Sequence, residues 1–316
     1  MERPVRSLVK AICQPVEAFA NPWRIEWPTL GLLILTYGLW AIATTWAAAF
    51  WLPLGMVLVT LSATQHSSLS HEALHGHPTR LKWLNEMLVF PPLTLAIPYQ
   101  RFRDTHIAHH HDEILTDPYD DPETNYLAPD VWMTLPRWAK AVLRFNNTLA
   151  GRLLLGPLLG QIAFMQGDWR LIRAGNRAVL AGWLLHIPAL ALVIWWMAAF
   201  GKMPVWAFLI SVYAALSILK IRTFLEHRAH GEARGRTVVI EDRGLLALLF
   251  LNNNLHMVHH MHPGVAWYAL PARFRAGRQG YLEHNENYYY RSYGEIFRRY
   301  FWRAKDEVSH PLFRSR

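Results

Sequence analysis

The order of apolar and polar positions divides the chain into long uncharged blocks separated by charged, histidine-rich stretches. No charged residue occurs from Leu30 to Thr64, a run of 35 residues. One membrane-crossing helix needs roughly 20 apolar residues, and Pro53-Leu54-Gly55 marks a turn in the middle of the run. The pattern predicts a helical hairpin over 30–72, running out over about 30–50 and back over about 54–72. A second uncharged block, Ala178 to Gly201, resumes from Met203 to Leu219 and predicts another hairpin over 178–222, turning at Gly201-Lys202-Met203-Pro204. Met87 to Tyr99 is apolar but short and holds Pro91, Pro92 and Pro98, which suits a re-entrant or interfacial segment. Residues 131–168 mix apolar stretches with Arg137, Lys140, Arg144 and Arg152, as expected of helices lying along a membrane. In residues 1–28, Val5, Leu8, Val9, Ile12, Val16 and Phe19 recur at helical spacing beside Arg3, Arg6 and Lys10. That is the pattern of a basic amphipathic segment on a membrane surface, not of a signal peptide.

Composition and charge refine this picture. The 316 residues are 52% hydrophobic and 17% charged, against about 25% charged in ordinary soluble domains. Disorder is excluded, and an ordinary soluble enzyme is disfavoured. If both hairpin turns face outwards, Lys202 is alone outside among the 32 Lys and Arg. By the positive-inside rule, both termini and the intervening cap, residues 73–177 and 223–316, are then cytoplasmic. This also accounts for the net charge of +9 without a nucleic-acid partner, for which no module is apparent. The expectation is a single all-α integral membrane domain of four transmembrane helices with a cytoplasmic helical cap, in a cell or inner membrane.

Histidine carries the chemistry. Fourteen of the 17 His fall in four clusters: His66, His71, His75, His77; His106, His109, His110, His111; His227, His230; and His256, His259, His260, His262. Every cluster lies at or just beyond a cytoplasmic boundary in the predicted topology. On a helix, His71 and His75 at i, i+4 point the same way, and His106, His109, His110 and His256, His259, His260 at i, i+3, i+4 each share a face. A single His at such a boundary is ordinarily an interfacial polar group, but repeated H-x-x-H-H patterns on one side imply converging ligands. Imidazole suits iron, copper, nickel or zinc, and the one thiol, Cys13, provides no soft site. Nine or so imidazoles exceed the needs of one ion, so a dimetal site is expected. His66, His77, His111 and His262 are weaker candidates, His186 reads as a packing residue within a span, and His284 and His310 as surface residues. Glu72, Asp104 and Glu226, each beside a proposed ligand, could orient imidazoles by accepting N–H bonds. The acidic loop Asp117 to Glu123 reads as solvated surface or as a contact for a basic electron donor.

His71-Glu-Ala-Leu-His75, His106-Ile-Ala-His109-His110 and His256-Met-Val-His259-His260 resemble the three histidine boxes of the membrane fatty acid desaturase superfamily. Asn252-Asn-Asn-Leu-His256 through His262-Pro263 and Trp267-Tyr268 resembles the third box and its flank. The resemblance covers roughly residues 30–275. It implies two iron ions, O2, a long-chain lipid or acyl substrate, and an external electron donor such as a ferredoxin or a cytochrome b5-type reductase system. It also implies a ninth ligand between the last span and the third box, for which His227 is the best match and His230 the alternative. Where acyl-CoA desaturases place an Asn four residues before that His, this chain has Thr223.

Two other activities compete. A hydroxylase or ketolase of a lipid, alkane or carotenoid would use the same boxes. His71-Glu72-Ala-Leu-His75 is also the H-E-x-x-H pattern of zinc metalloproteases, with Glu72 as general base; that reading leaves both H-x-x-H-H triplets without a role.

Overall fold

A computed structural model describes residues 25–111 and 113–313. The proposed amphipathic segment lies almost wholly outside these residues. The fold is mostly helical, and the described chain divides into two compact units: residues 25–106 with 151–221, and residues 107–150 with 222–313.

The first unit holds the long apolar helices. Helix α1 runs Trp27–Phe50 and contains one widened π turn, Ala43–Ala47. After a single extended residue, Trp51, α2 runs Leu52–Leu74. The turn therefore comes two residues earlier than Pro53-Leu54-Gly55 predicts, because Pro53 fits the first turn of a helix, where no N–H is required. Gly55 instead serves close packing: a Cβ there would lie 2.8 Å from Ala48 Cα and 2.9 Å from the Ala43 carbonyl oxygen. The short α3, Lys82–Leu88, is followed by irregular chain and then α4, Tyr99–His109, which continues across the boundary between the units. Two further short helices, α5 (Pro129–Thr134) and α6 (Arg137–Asn146), precede α7 (Leu149–Arg173), α8 (Arg177–Ala199) and α9 (Val205–Arg222).

Trp40, Ala43, Val59, Ala63, Val193, Phe208 and Val212 form one core in this unit. Small polar groups tie it together. Thr60 Oγ1 donates to the Met56 and Ser211 carbonyls at 2.9 and 3.2 Å, and Lys202 N–H donates to Thr44 O, in the π turn, at 2.9 Å. The second hairpin turns over Gly201–Pro204, as the sequence predicts. Residues 90–98 form no regular helix. Their carbonyls are bonded by protein groups, Gln161 Nε2 to Ala96 O at 2.8 Å and His186 Nε2 to Leu95 O at 3.1 Å. This is the condition under which irregular backbone persists at membrane depth, and it gives His186 the packing role expected of it.

Among the described residues three helices, α1, α8 and α9, are long and apolar enough to cross a membrane, and α6 with α7 passes the same test as a bent pair. The α2 helix has the length, about 34 Å at 1.5 Å per residue. Its C-terminal half is less apolar, with Thr64, Gln65, Ser67, Ser68 and Ser70 among the histidines.

The second unit is built from short elements. They include α10 (Leu245–Leu249), α11 (His256–Met261), α12 (Leu270–His284) and α13 (Tyr293–Tyr300). A two-residue parallel pairing joins β1 (Val239–Ile240) and β2 (Tyr289–Tyr290). Val239, Leu255, Met257, Val258, Leu270, Phe274 and Tyr281 form its core, so α11 is anchored by Met257 and Val258. The histidines of α11 occupy three of its remaining four positions, and Met261 the last.

Candidate metal centre

In the first unit, His71 lies in the last turn of α2 and His75 at its C-terminal cap. Gly76, at φ 93°, ends the helix in the left-handed conformation that glycine adopts freely. His106 comes from α4. The three rings form a trio, with centroids 4.8 Å apart for His71–His75, 4.6 Å for His71–His106 and 5.3 Å for His75–His106. Glu72 is buried, and its carboxylate lies 3.8 Å from His71 Nδ1. Asp104 is different: its half-exposed carboxylate pairs with Arg103 at 2.9 Å, not with an imidazole.

The second unit gathers four imidazoles, those of His109, His227, His256 and His260, with one nitrogen of each within 4.8 Å of the others. Two nitrogens on opposite sides of one ion, with bonds of about 2.1 Å, stand about 4.2 Å apart, so the set is the right size for a single cation. His109 Nε2 is 2.8 Å from His227 Nε2, which is 3.1 Å from His256 Nε2. Three of the four rings are held from behind through Nδ1. Asp121 Oδ1 accepts from His109 at 2.7 Å, Thr237 Oγ1 faces His227 at 3.2 Å, and Asn253 Oδ1 faces His256 at 3.1 Å. At His227 and His256, a proton on Nδ1 leaves the Nε2 lone pair directed into the group, the tautomer a metal ligand requires.

Local backbone explains these positions. His227 follows α9 and bridges Thr237 in antiparallel fashion, so its ring and its Nδ1 partner are placed together. The three consecutive asparagines before α11 each have a separate task. Asn252 Nδ2 donates to Trp267 O at 3.0 Å, Asn253 faces His256, and Asn254 Nδ2 donates to the Ile240 and Asp242 carbonyls. Leu251 and Asn252 take positive φ to turn the chain into the helix. Glu226 is buried with Oε1 3.8 Å from His256 Nδ1, and Arg222 Nε lies 3.5 Å from the same oxygen.

The electrostatics favour neutral rings at two positions. Burial, with neighbouring histidines, holds His227 and His256 well below the ordinary histidine pKa. Burial also opposes charge on His109, but Glu123 and Asp121 outweigh it and lift that ring to about 9. A cation entering the group would take the place of the His109 Nε2 proton.

The helical triplets do not converge as units. His109 joins His227, His256 and His260, whereas His110 Nε2 faces His259 Nε2 at 3.2 Å, and His106 belongs with His71 and His75. An i, i+3, i+4 face spans about 100°, wide enough to serve different neighbours. His230 stays outside the group; it bonds within its own loop and pairs with Glu286 at 3.4 Å. His66 bonds Tyr37 at 2.9 Å, His77 bonds Glu26 at 2.8 Å, and His262 bonds Tyr281 at 2.9 Å, while His111 is exposed.

Two further expectations are corrected. The Asp117–Glu123 loop is not simply solvated: Asp121 is buried on His109, and its other oxygen accepts the Thr116 N–H at 2.8 Å. That loop turns back on itself 12 residues after His109, a closure the sequence spacing does not disclose. His310 is no surface residue, since its ring is buried against Tyr126 with Nε2 3.2 Å from Thr116 Oγ1. Asp121, Thr237 and Asn253 were not foreseen as partners of the histidines, although Asn253 stands in the flank that resembles the third box.

The fatty acid desaturase family model matches residues 44–292, most of the chain and every histidine described above from His66 to His262. The protein belongs to the fatty acid desaturase family; it is a membrane protein of desaturase-like oxidoreductase type whose histidine clusters could bind metal. No curated protein matches the chain. Membership leaves the zinc protease reading without support, and the four-imidazole group uses neither histidine of H-E-x-x-H.

Proposed function

We propose that the protein is an O2-dependent di-iron desaturase that introduces a double bond into a long alkyl chain of a membrane lipid or acyl substrate. The observation that carries this reading is the four-imidazole group of the second unit, with three rings anchored through Nδ1, inside the region matched by the family. One ion is assigned to His109, His227, His256 and His260. The family resemblance assigns a second ion to the remaining histidines of the three boxes.

Side chains contain no oxidant strong enough to break an unactivated C–H bond; bound ferrous iron supplies that power from O2 and two external electrons. The balance is one –CH2–CH2– unit, O2, two electrons and two protons giving one –CH=CH– unit and two waters. The chain's own contribution is to hold the imidazoles oriented and shielded from water, with His227 and His256 kept neutral. Asp121, Thr237 and Asn253 fix three rings, and Glu72 and Glu226 stand beside His71 and His256 as balancing charge. The apolar helices α1, α8 and α9 fit an alkyl substrate that arrives through the bilayer. The charge bias supports a four-span topology with the site and both termini cytoplasmic, where a ferredoxin or cytochrome b5-type donor can reach it.

The test is lipid profiling of a host that lacks desaturases and supplies a compatible donor. New double bonds should appear with the intact chain and vanish with His109→Ala or His256→Ala. Hydroxylated or keto products instead would assign the site to the alternative chemistry.

A further inference from the structure

The last segment described, residues 301–313, lies beyond the family match, which ends at 292. It nevertheless reaches the back of the four-imidazole group along two routes. In the first, the Tyr126 hydroxyl donates to Asp306 Oδ2 and accepts the Ala229 N–H at 2.9 Å, two residues from His227. The Lys305 ammonium, largely buried over the Tyr126 ring, lies 3.4 Å from the His227 carbonyl oxygen. In the second, His310 Nδ1 accepts the Leu312 N–H at 3.2 Å, so Nε2–H donates to Thr116 Oγ1. Thr116 N–H in turn donates to Asp121, whose other oxygen receives His109 Nδ1–H.

The segment is also held by bonds to its main chain and by Asn147. Leu127 N–H donates to Val308 O and His310 N–H to Leu127 O, each at 2.9 Å, while Asn147 Nδ2 donates to Asp306 O and Oδ1 at 2.8 Å. One strap thus stands behind both His227 and His109, which face each other at 2.8 Å.

We infer that residues 305–310 form a positioning strap for the metal group, with Tyr126 and Asp306 setting His227 and His310 setting His109 through Thr116 and Asp121. The inference rests on the reading of the group as a metal site. Partners one step behind a ligand commonly change metal affinity about 10–100-fold, and that is the effect expected.

The test uses the full-length, metal-stripped protein in detergent, titrated with cobalt(II) and followed by absorption, with the Tm of the metal-free form measured beside it. Tyr126→Phe and Asp306→Asn should each weaken one bound ion about tenfold or more. His310→Phe should do the same, whereas His310→Gln, which keeps an N–H donor for Thr116, should retain affinity. Tyr290→Phe breaks a buried hydroxyl pair with Tyr300 elsewhere in the unit and should leave affinity unchanged. Unchanged affinity in the Tyr126 and Asp306 variants overturns the strap, as does an equal loss in Tyr290→Phe with an equal fall in Tm. Should His310→Phe alone fail to fold, the Tyr126 and Asp306 variants still decide. Failure of the unaltered protein to bind cobalt overturns the metal reading itself, and the strap with it.

Discussion

A carboxylate that receives an imidazole N–H does two things to a metal site: it selects the tautomer and it restrains the ring. Asp121 is placed for both, buried and 2.7 Å from His109 Nδ1, whereas Asp104 is half exposed and paired with Arg103. The two aspartates should therefore behave oppositely. Asp121→Asn is expected to weaken metal retention about 10–100-fold. Asp104→Asn, which removes only a surface pair, should leave both metal and turnover within about twofold, since such pairs contribute at most about 1 kcal/mol. Metal content after dialysis against a chelator reads both. Equal retention in the two variants would contradict the role given to Asp121. At this scale the sequence discloses the histidines but not their carriers: Glu72 and Glu226 adjoin ligands and are visible, while Asp121 reaches His109 through a loop closure and Thr237 reaches His227 through a backbone bridge.

At the scale of elements, the first hairpin depends on backbone approach. Gly55 of α2 meets the backbone of α1 at its π turn, where a methyl group would sit under 3 Å from main-chain atoms that cannot swing away. Gly55→Ala should lower stability by about 1–3 kcal/mol, read as a fall in Tm, without altering the histidines. An unchanged Tm would mean that the hairpin opens without cost. The C-terminal strap adds a pH dependence. Burial, then Arg236, lowers the His310 pKa from 6.5, and its two hydrogen bonds use the neutral ring as both donor and acceptor. A depressed histidine contributes stability that is complete above the unfolded value near 6.5 and is lost as the pH falls through the folded value. The Tm advantage of the unaltered protein over His310→Gln should be flat above about pH 7 and shrink towards pH 5. A gap that is constant, or widens in acid, would contradict this. The hairpins are legible as uncharged blocks, and their turns come within two residues of expectation. The strap is not legible: residues 301–313 carry no periodicity, and most of their bonds run to residues 116–150, far back in the sequence.

At the scale of the molecule, the uncharged runs and the histidine spacing converge on one class of enzyme, and the family match over 44–292 agrees. The sequence left open how the histidines are shared out. Spacing on a helix shows which side chains face one way; it does not show which distant segment supplies the rest. The second box contributes His109 to one group and His106 to another, and the third box separates His256 and His260 from His259. The α2 helix makes the same point about solvent: it has the length of a span, yet its C-terminal half carries hydroxyls bonded back to their own helix, such as Ser70 Oγ to His66 O at 2.9 Å. Length and lack of charge predict a span, but α2 is not among the helices apolar enough to cross a membrane, and hydroxyls such as that of Ser70 are satisfied within the helix.

The central claim is that two ions are held by imidazoles, one of them wholly by His109, His227, His256 and His260. Elemental mass spectrometry of protein purified from an iron-supplemented host tests it most directly, with His227→Ala/His256→Ala and His71→Ala/His75→Ala variants in parallel. The account predicts about two irons per chain in the unaltered protein and a loss of at least one in each double variant. A single ion that survives loss of His227 and His256 but disappears with His71 and His75 would contradict it.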